Sequence, residues 1–290
     1  HPAAKSRDIA ALHIAMNGFH LGMADLLIAL RGATVGDVAR NLSALRAAQK
    51  LAHRDQPSLD AISGDSPALS AARAMVADLQ LWRTGELGWN ELTRTVLFHG
   101  PPGTGKSWLA QAMARSAGFA TVPASFGEWQ AAGHLGDMLK AMRESFAEAR
   151  RRAPAMLILD EFDAVGTRTD RGPHQNYRVM VVNAFLALMD GIARDEGVVV
   201  VATCNHPELI DSAELRPGRF DLRLAVPLPD AAALAGVLRR HLTLPEPEIR
   251  ALAQQAVGHS MADLDAALRE LRGQARRAGR QITPEDLRAA

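Results

Sequence analysis

The sequence predicts a parallel α/β sheet with helices on both faces, set between an N-terminal helical segment and a C-terminal run of helices. Three observations predict it. Short apolar runs at 95–99, 119–123, 155–160, 198–203 and 221–226 alternate with helical stretches, the signature of strands joined by helical crossovers. The runs 155–159 and 198–202 are apolar without alternation, as strands buried on both faces must be. After Pro227-Leu228-Pro229-Asp230 only helix is legible, at 230–242, 246–257, 260–278 and 284–289. These shifts set expected boundaries of 1–56, 57–229 and 230–290.

Residues 1–56 are rich in Ala and Leu and read as helices, with Ser6 placed to cap a first and Thr34 a third that ends near Arg54. His13, Met16, His20 and Met23 fall at helical spacing, which favours core or interface over metal ligation. Residues 30–45 have a faint helix-turn-helix outline but no clear recognition helix, so a packing or adaptor role is the default. Asp55-Gln56-Pro57-Ser58 reads as a linker. In the last segment, Ser260 and Asp263 are spaced to cap a helix reciprocally.

Composition removes several classes. The 33 Lys and Arg nearly balance the 32 Asp and Glu over 290 residues, so no strong field for nucleic acid or anionic membrane is expected. Arg150, Arg151, Arg152 and the arginines near 272–280 read as solvated helix faces. The single cysteine, Cys204, allows neither an intrachain disulfide nor a four-thiolate zinc site, and its place after an apolar run suggests a buried side chain. No apolar run is long enough to span a bilayer; the best, 21–30, is short and contains Asp25. The chain begins at His1 rather than Met, which fits a processed or longer parent.

The chemistry centres on GPPGTGKS, residues 100–107, which follows the strand 95–99 and opens a helix at Trp108. Strand, glycine-rich loop and helix is the context that a Walker A phosphate loop requires. Gly100, Gly103 and Gly105, with Pro101, Pro102 and Thr104 between them, let the backbone curl its N–H groups towards phosphate oxygens. The helix adds its positive dipole end. Lys106 is expected to reach the β- and γ-phosphates of ATP, and Ser107 to ligate Mg²⁺. Asp160 and Glu161 end the buried run 155–159, where open α/β sheets bind ligands. Asp160 is expected in the Mg²⁺ shell, and Glu161 as the group that polarises water. A site that needs ATP and Mg²⁺ implies a cytoplasmic setting.

Together with LILDEFDAVG (157–166) and TCNHPELIDSAELRPGRFD (203–221), the chain resembles AAA-type ATPases of the protein-remodelling clade over about 57–290, nearest to the ATPase module of FtsH-like zinc proteases. The resemblance implies a ring, expected to be a hexamer, that acts on a protein substrate through a central pore. It makes Asn205 the sensor 1 residue. It makes Arg216 and Arg219 arginine fingers for a neighbouring subunit, where a planar cation forks onto transferring phosphate oxygens. Ile62 and Gly64 in LDAISG (59–64) match the segment that reads the adenine edge. In the lid, His241 matches the position that approaches ribose and adenine. Met261 and Ala262, in GHSMADLDAAL (258–268), lie beside the adenine pocket, Met261 replacing a glycine of the family pattern. QITPEDL (281–287) resembles the closing helix.

Two departures concern substrate handling. The inter-subunit Asp-Gly-Phe is Asp190-Gly191-Ile192 here, and the aromatic pore-loop pattern is His134-Leu135-Gly136. Phe126 and Trp129 could supply an aromatic, but core packing is the expectation for both. The peptidase motif His-Glu-x-x-His does not occur in these residues. The leading expectation is therefore an ATP-driven unfoldase or remodeller. The rivals are a nucleotide-dependent assembly switch and, disfavoured by the charge balance, a nucleic-acid motor or loader.

Overall fold

The computed structural model describes residues 34, 36–38, 41, 58–165, 175–192, 195–210, 219–280 and 286. Contacts divide the chain into two compact units, His1–Gln56 and Pro57–Ala290. In the first unit, Asp37 N–H donates to Thr34 Oγ1 (3.1 Å) and Thr34 N–H donates to Asp37 Oδ2 (3.0 Å), so Thr34 does cap a helical turn. The other expectations for 1–56, and the helix expected at 284–289, lie outside the described residues.

Among its described residues the second unit holds five parallel strands: β1 (Thr95–His99), β2 (Ala120–Ser125), β3 (Ala155–Asp160), β4 (Val198–Cys204) and β5 (Leu222–Ala225). Their order across the sheet is β2-β3-β4-β1-β5. Alternate side chains of β4 feed opposite layers. Val198, Val200, Ala202 and Cys204 join one core, and Val199 and Val201 the other. The first layer is closed by α3 (Phe126–Ala131), α4 (Leu135–Arg151) and α5 (Gln175–Ile192). The second is closed by α1 (Pro67–Thr84) and α2 (Lys106–Ala117).

Two strand boundaries differ from the sequence expectation for local reasons. Phe119 belongs to the end of α2, where Gly118 adopts φ 68° and Phe119 N–H donates to Ala114 O at 2.9 Å. β2 therefore starts at Ala120 and runs through Pro123, which an edge strand tolerates. Asp221 and Val226 flank β5 and still bond to β1, Asp221 N–H to Thr95 O (3.1 Å) and Val226 N–H to His99 O (2.7 Å).

After Pro229 the chain forms α6 (Ala231–His241), α7 (Glu246–Gln255) and α8 (Met261–Arg277) around a third apolar cluster built on Leu234, Leu238, Ile249, Leu252 and Leu268. Asp230 caps α6 through Ala233 N–H (2.7 Å), and Ser260 and Asp263 cap α8 reciprocally. Among the described residues no helix is long and apolar enough to cross a membrane.

Candidate active site

Strand order brings the chemistry together. β4 lies between β1, which feeds the glycine loop, and β3, which ends in the two carboxylates. The C-terminal ends of all three open on one rim. Gly100 N–H donates to Cys204 O (3.2 Å), tying the loop to β4. A Cβ on Gly100 would lie 2.2 Å from Val226 O, so a side chain is excluded there. Gly105, at φ 88°, takes the left-handed conformation that begins α2 and offers no side chain to cap it. The leading N–H groups of α2 are thus left for a ligand.

Lys106 is 6% exposed, and its Nζ donates to Gly100 O (2.8 Å) and Pro101 O (2.7 Å). Burial lowers its pKa, against the opposing pull of Cys204, Asp163 and Asp160. Thr104 is buried and donates to Pro101 O (3.0 Å), so it braces the loop. Ser107 Oγ donates to Asp160 Oδ1 (2.7 Å). A hydroxyl and a carboxylate at this distance form a hard oxygen pair suited to Mg²⁺, which keeps part of its shell for water and phosphate.

A cavity of about 500 Å³ is lined by Pro102, Gly103, Gly105, Lys106, Ser107, Trp108, Asp160, Glu161, Asn205, His241, Met261 and Ala262, all expected from the sequence. Thr203, Arg240 and Asp265 also line it and were not expected. Ile62 and Gly64 line a smaller cavity of about 150 Å³ with Thr104, Gly105, Trp108, Leu109, Val226 and Met261. Trp108, Gly105 and Met261 are common to both. The lid touches the loop directly: Ala262 N–H donates to Gly103 O (3.2 Å).

Thr203 is a candidate positioning residue that sequence reasoning missed. It is 2% exposed at the end of β4. Its hydroxyl bonds to Asp160 Oδ1 and accepts from Glu161 N–H (3.3 Å). Glu161 has φ 53°, a left-handed backbone that non-glycine residues adopt at a cost of about 1–3 kcal/mol. Thr203 therefore braces both carboxylate residues. The signal was a lone hydroxyl in an otherwise apolar strand. Asn205 N–H donates to Asp163 Oδ1 (3.2 Å), which fixes the turn beyond β4. Cys204 is buried, and burial pushes its thiol up to about 12, so it is not a thiolate nucleophile.

Arg219 stands apart from this group. It is not among the described residues lining either cavity, and it forks onto Asp190, Nε to Oδ1 (3.0 Å) and Nη2 to Oδ2 (3.1 Å). Phe220 beside it is buried against Phe162 (5.5 Å between centroids), the residue after Glu161. Arg216 lies outside the described residues. His241 Nε2 is 3.1 Å from Asp265 Oδ1, and burial holds its pKa below the ordinary value. His134 is an exposed N-cap position, and Leu135-Gly136 already belongs to the first turn of α4. Phe126 and Trp129 are both buried, as core side chains.

A parallel sheet with this strand order, a phosphate loop after β1 and carboxylates after β3 defines a P-loop nucleotide-binding domain with a helical lid. Residues 96–228 match the family described as "ATPase family associated with various cellular activities (AAA)". The chain carries an AAA ATPase domain, related to the ATPase modules of AAA proteases. It is 42% identical over 208 residues to "ATP-dependent zinc metalloprotease FtsH 3" of Sphaerobacter thermophilus, covering 69% of this chain and 42% of that one. It is 40% identical over 187 residues to "Protein SAV" of Sulfolobus acidocaldarius, covering 60% and 23%. It is 36% identical over 181 residues to human "ATP-dependent zinc metalloprotease YME1L1", again 60% and 23%. The chain thus spans less than half the length of these curated relatives.

Proposed function

We propose that this chain hydrolyses ATP and uses the cycle to unfold or remodel a protein substrate. The observation that carries the reading is the contact of Ser107 with Asp160 beside the buried Lys106. Adenine fits the smaller cavity against Ile62 and Gly64, and the phosphates fit the larger one. Lys106 neutralises phosphate charge. Ser107 and Asp160 would hold Mg²⁺, which would offset charge on the transferring phosphoryl group. Glu161 takes the proton of the attacking water, and Asn205 orients that water. Such chemistry suits a cytoplasmic setting.

Arg219, which lines neither cavity and forks onto Asp190, suits a finger that completes a neighbouring subunit's site, with Arg216 three residues before it in sequence. This supports a homo-oligomeric ring, with six subunits as the working number. His134 would face the pore. One observation favours the assembly-switch alternative: the α3–α4 connection, Ala132-Gly133-His134, offers no bulky aromatic to grip a chain.

The test is phosphate release by mixed subunits. Release per chain should rise steeply with protein concentration. Arg219→Ala and Lys106→Ala should each be inactive alone, and mixing them should restore activity where intact arginines meet an intact phosphate loop. No rescue, with a concentration-independent parent rate, would refute the shared site. Protein captured on a Glu161→Gln trap separates unfolding of many substrates from control of one partner.

A further inference from the structure

We infer that Arg240 is a second phosphate-binding cation, delivered by the lid and seated on Trp108. This rests on the reading of the cavities as an ATP site and adds to it a contact that the motifs do not supply. Arg240 Cζ lies 5.1 Å from the centroid of the Trp108 ring, a cation–π distance. The two residues come from opposite sides of the cleft, Trp108 from the first turn of α2 and Arg240 from the last turn of α6. Both line the cavity that contains Lys106, Ser107 and Asp160.

The charges around it are already committed. Arg239 forks onto Glu246, and Arg272 donates to His241 O. Asp265, the lid carboxylate on the cavity wall, stands against His241. Among the described residues no carboxylate or carbonyl takes a hydrogen bond from Arg240, and its contact is the indole face. A guanidinium on an aromatic ring keeps its edge N–H donors available, because the ring occupies only one face of the plane. Trp108 lines both the smaller and the larger cavity, so the donors stand where a nucleoside joins its first phosphates. Fork geometry then selects phosphate oxygens over the base.

The test is equilibrium binding of Mg·ADP and of adenosine to the full chain, for the parent, Arg240→Gln, Arg240→Lys, Trp108→Leu and Lys106→Ala. Arg240→Gln should weaken ADP roughly 5- to 30-fold and leave adenosine unchanged. Arg240→Lys should recover part of the loss, since it keeps the charge but not the fork. Trp108→Leu should weaken ADP less, and its effect should shrink in the Arg240→Gln background, because the ring acts through the guanidinium. Unchanged ADP affinity in Arg240→Gln overturns the inference, as does equal weakening of adenosine. A parent that binds ADP no better than Lys106→Ala overturns the ATP-site reading itself, and this inference with it.

Discussion

Replacing Thr203 by Val removes one hydroxyl and keeps the side-chain shape. That hydroxyl makes two contacts, one to the Asp160 carboxylate and one from Glu161 N–H. A hydrogen bond to a charged group contributes about 1.5–3 kcal/mol, and a neutral one about 0.5–1.5 kcal/mol. Asp160 keeps Ser107 as a partner at 2.7 Å, so the ligand-binding half of the site survives. Glu161 loses the partner of its N–H at a residue held at φ 53°, and keeps the bond its carbonyl accepts from Ala164 N–H (3.0 Å). If the charged bond is what aligns the two carboxylates, its loss slows turnover roughly 10- to 150-fold, at about 1.4 kcal/mol per decade. ATP affinity should change by less than about threefold, because neither lost contact reaches the loop. Steady-state phosphate release and equilibrium nucleotide binding, on the same preparations, separate the two. Thr203→Ser should restore most of the rate, since it returns the hydroxyl without the methyl. A Thr203→Val rate within twofold of the parent would refute the positioning role. An equal loss of affinity and rate would move Thr203 into the binding site instead.

Lys106→Ala should abolish measurable nucleotide binding by calorimetry, because the loop loses its buried cation; binding within tenfold of the parent would count against the phosphate-loop assignment. His134→Ala should lose unfolding of a tagged substrate while keeping most basal phosphate release, and His134→Tyr should keep or improve unfolding; identical behaviour of all three would remove His134 from the pore and favour the switch. Arg239 and Arg250 hold the Glu246 carboxyl down to about 2, below its ordinary 4.5. A depressed carboxylate pKa stabilises the fold above the ordinary value and loses that contribution as pH falls towards 2. The melting-temperature gap between the parent and Glu246→Gln should therefore be present above pH 4.5, close at lower pH, and shrink with salt; a gap that widens in acid would contradict the sign.

Much of the fold was legible because its signals are local. The phosphate loop is a run of adjacent residues whose glycines and lysine declare it. The apolar runs of β3 and β4 mark themselves as doubly buried, and Ser260 with Asp263 announces the start of α8. What was illegible depends on strand order. Thr203 matters because β4 inserts between β1 and β3, and nothing in the run 198–204 states its neighbours. The Trp108–Arg240 contact joins helices of the sheet domain and the lid, and each residue alone reads as an ordinary helix position. The pairing of Arg219 with Asp190 is equally non-local. Phe119 shows the opposite limit: a local helix cap overrode an apolar run that reads as strand.

The central claim is that Glu161, at the end of β3, drives hydrolysis of ATP bound in the loop below it. The most direct measurement is a single-turnover assay of phosphate release by Glu161→Gln with ATP binding followed in parallel. The account predicts ATP affinity within about threefold of the parent and phosphate release slowed by at least ~100-fold, because an amide cannot accept the proton of water. Release at the parent rate, with ATP bound normally, would contradict it.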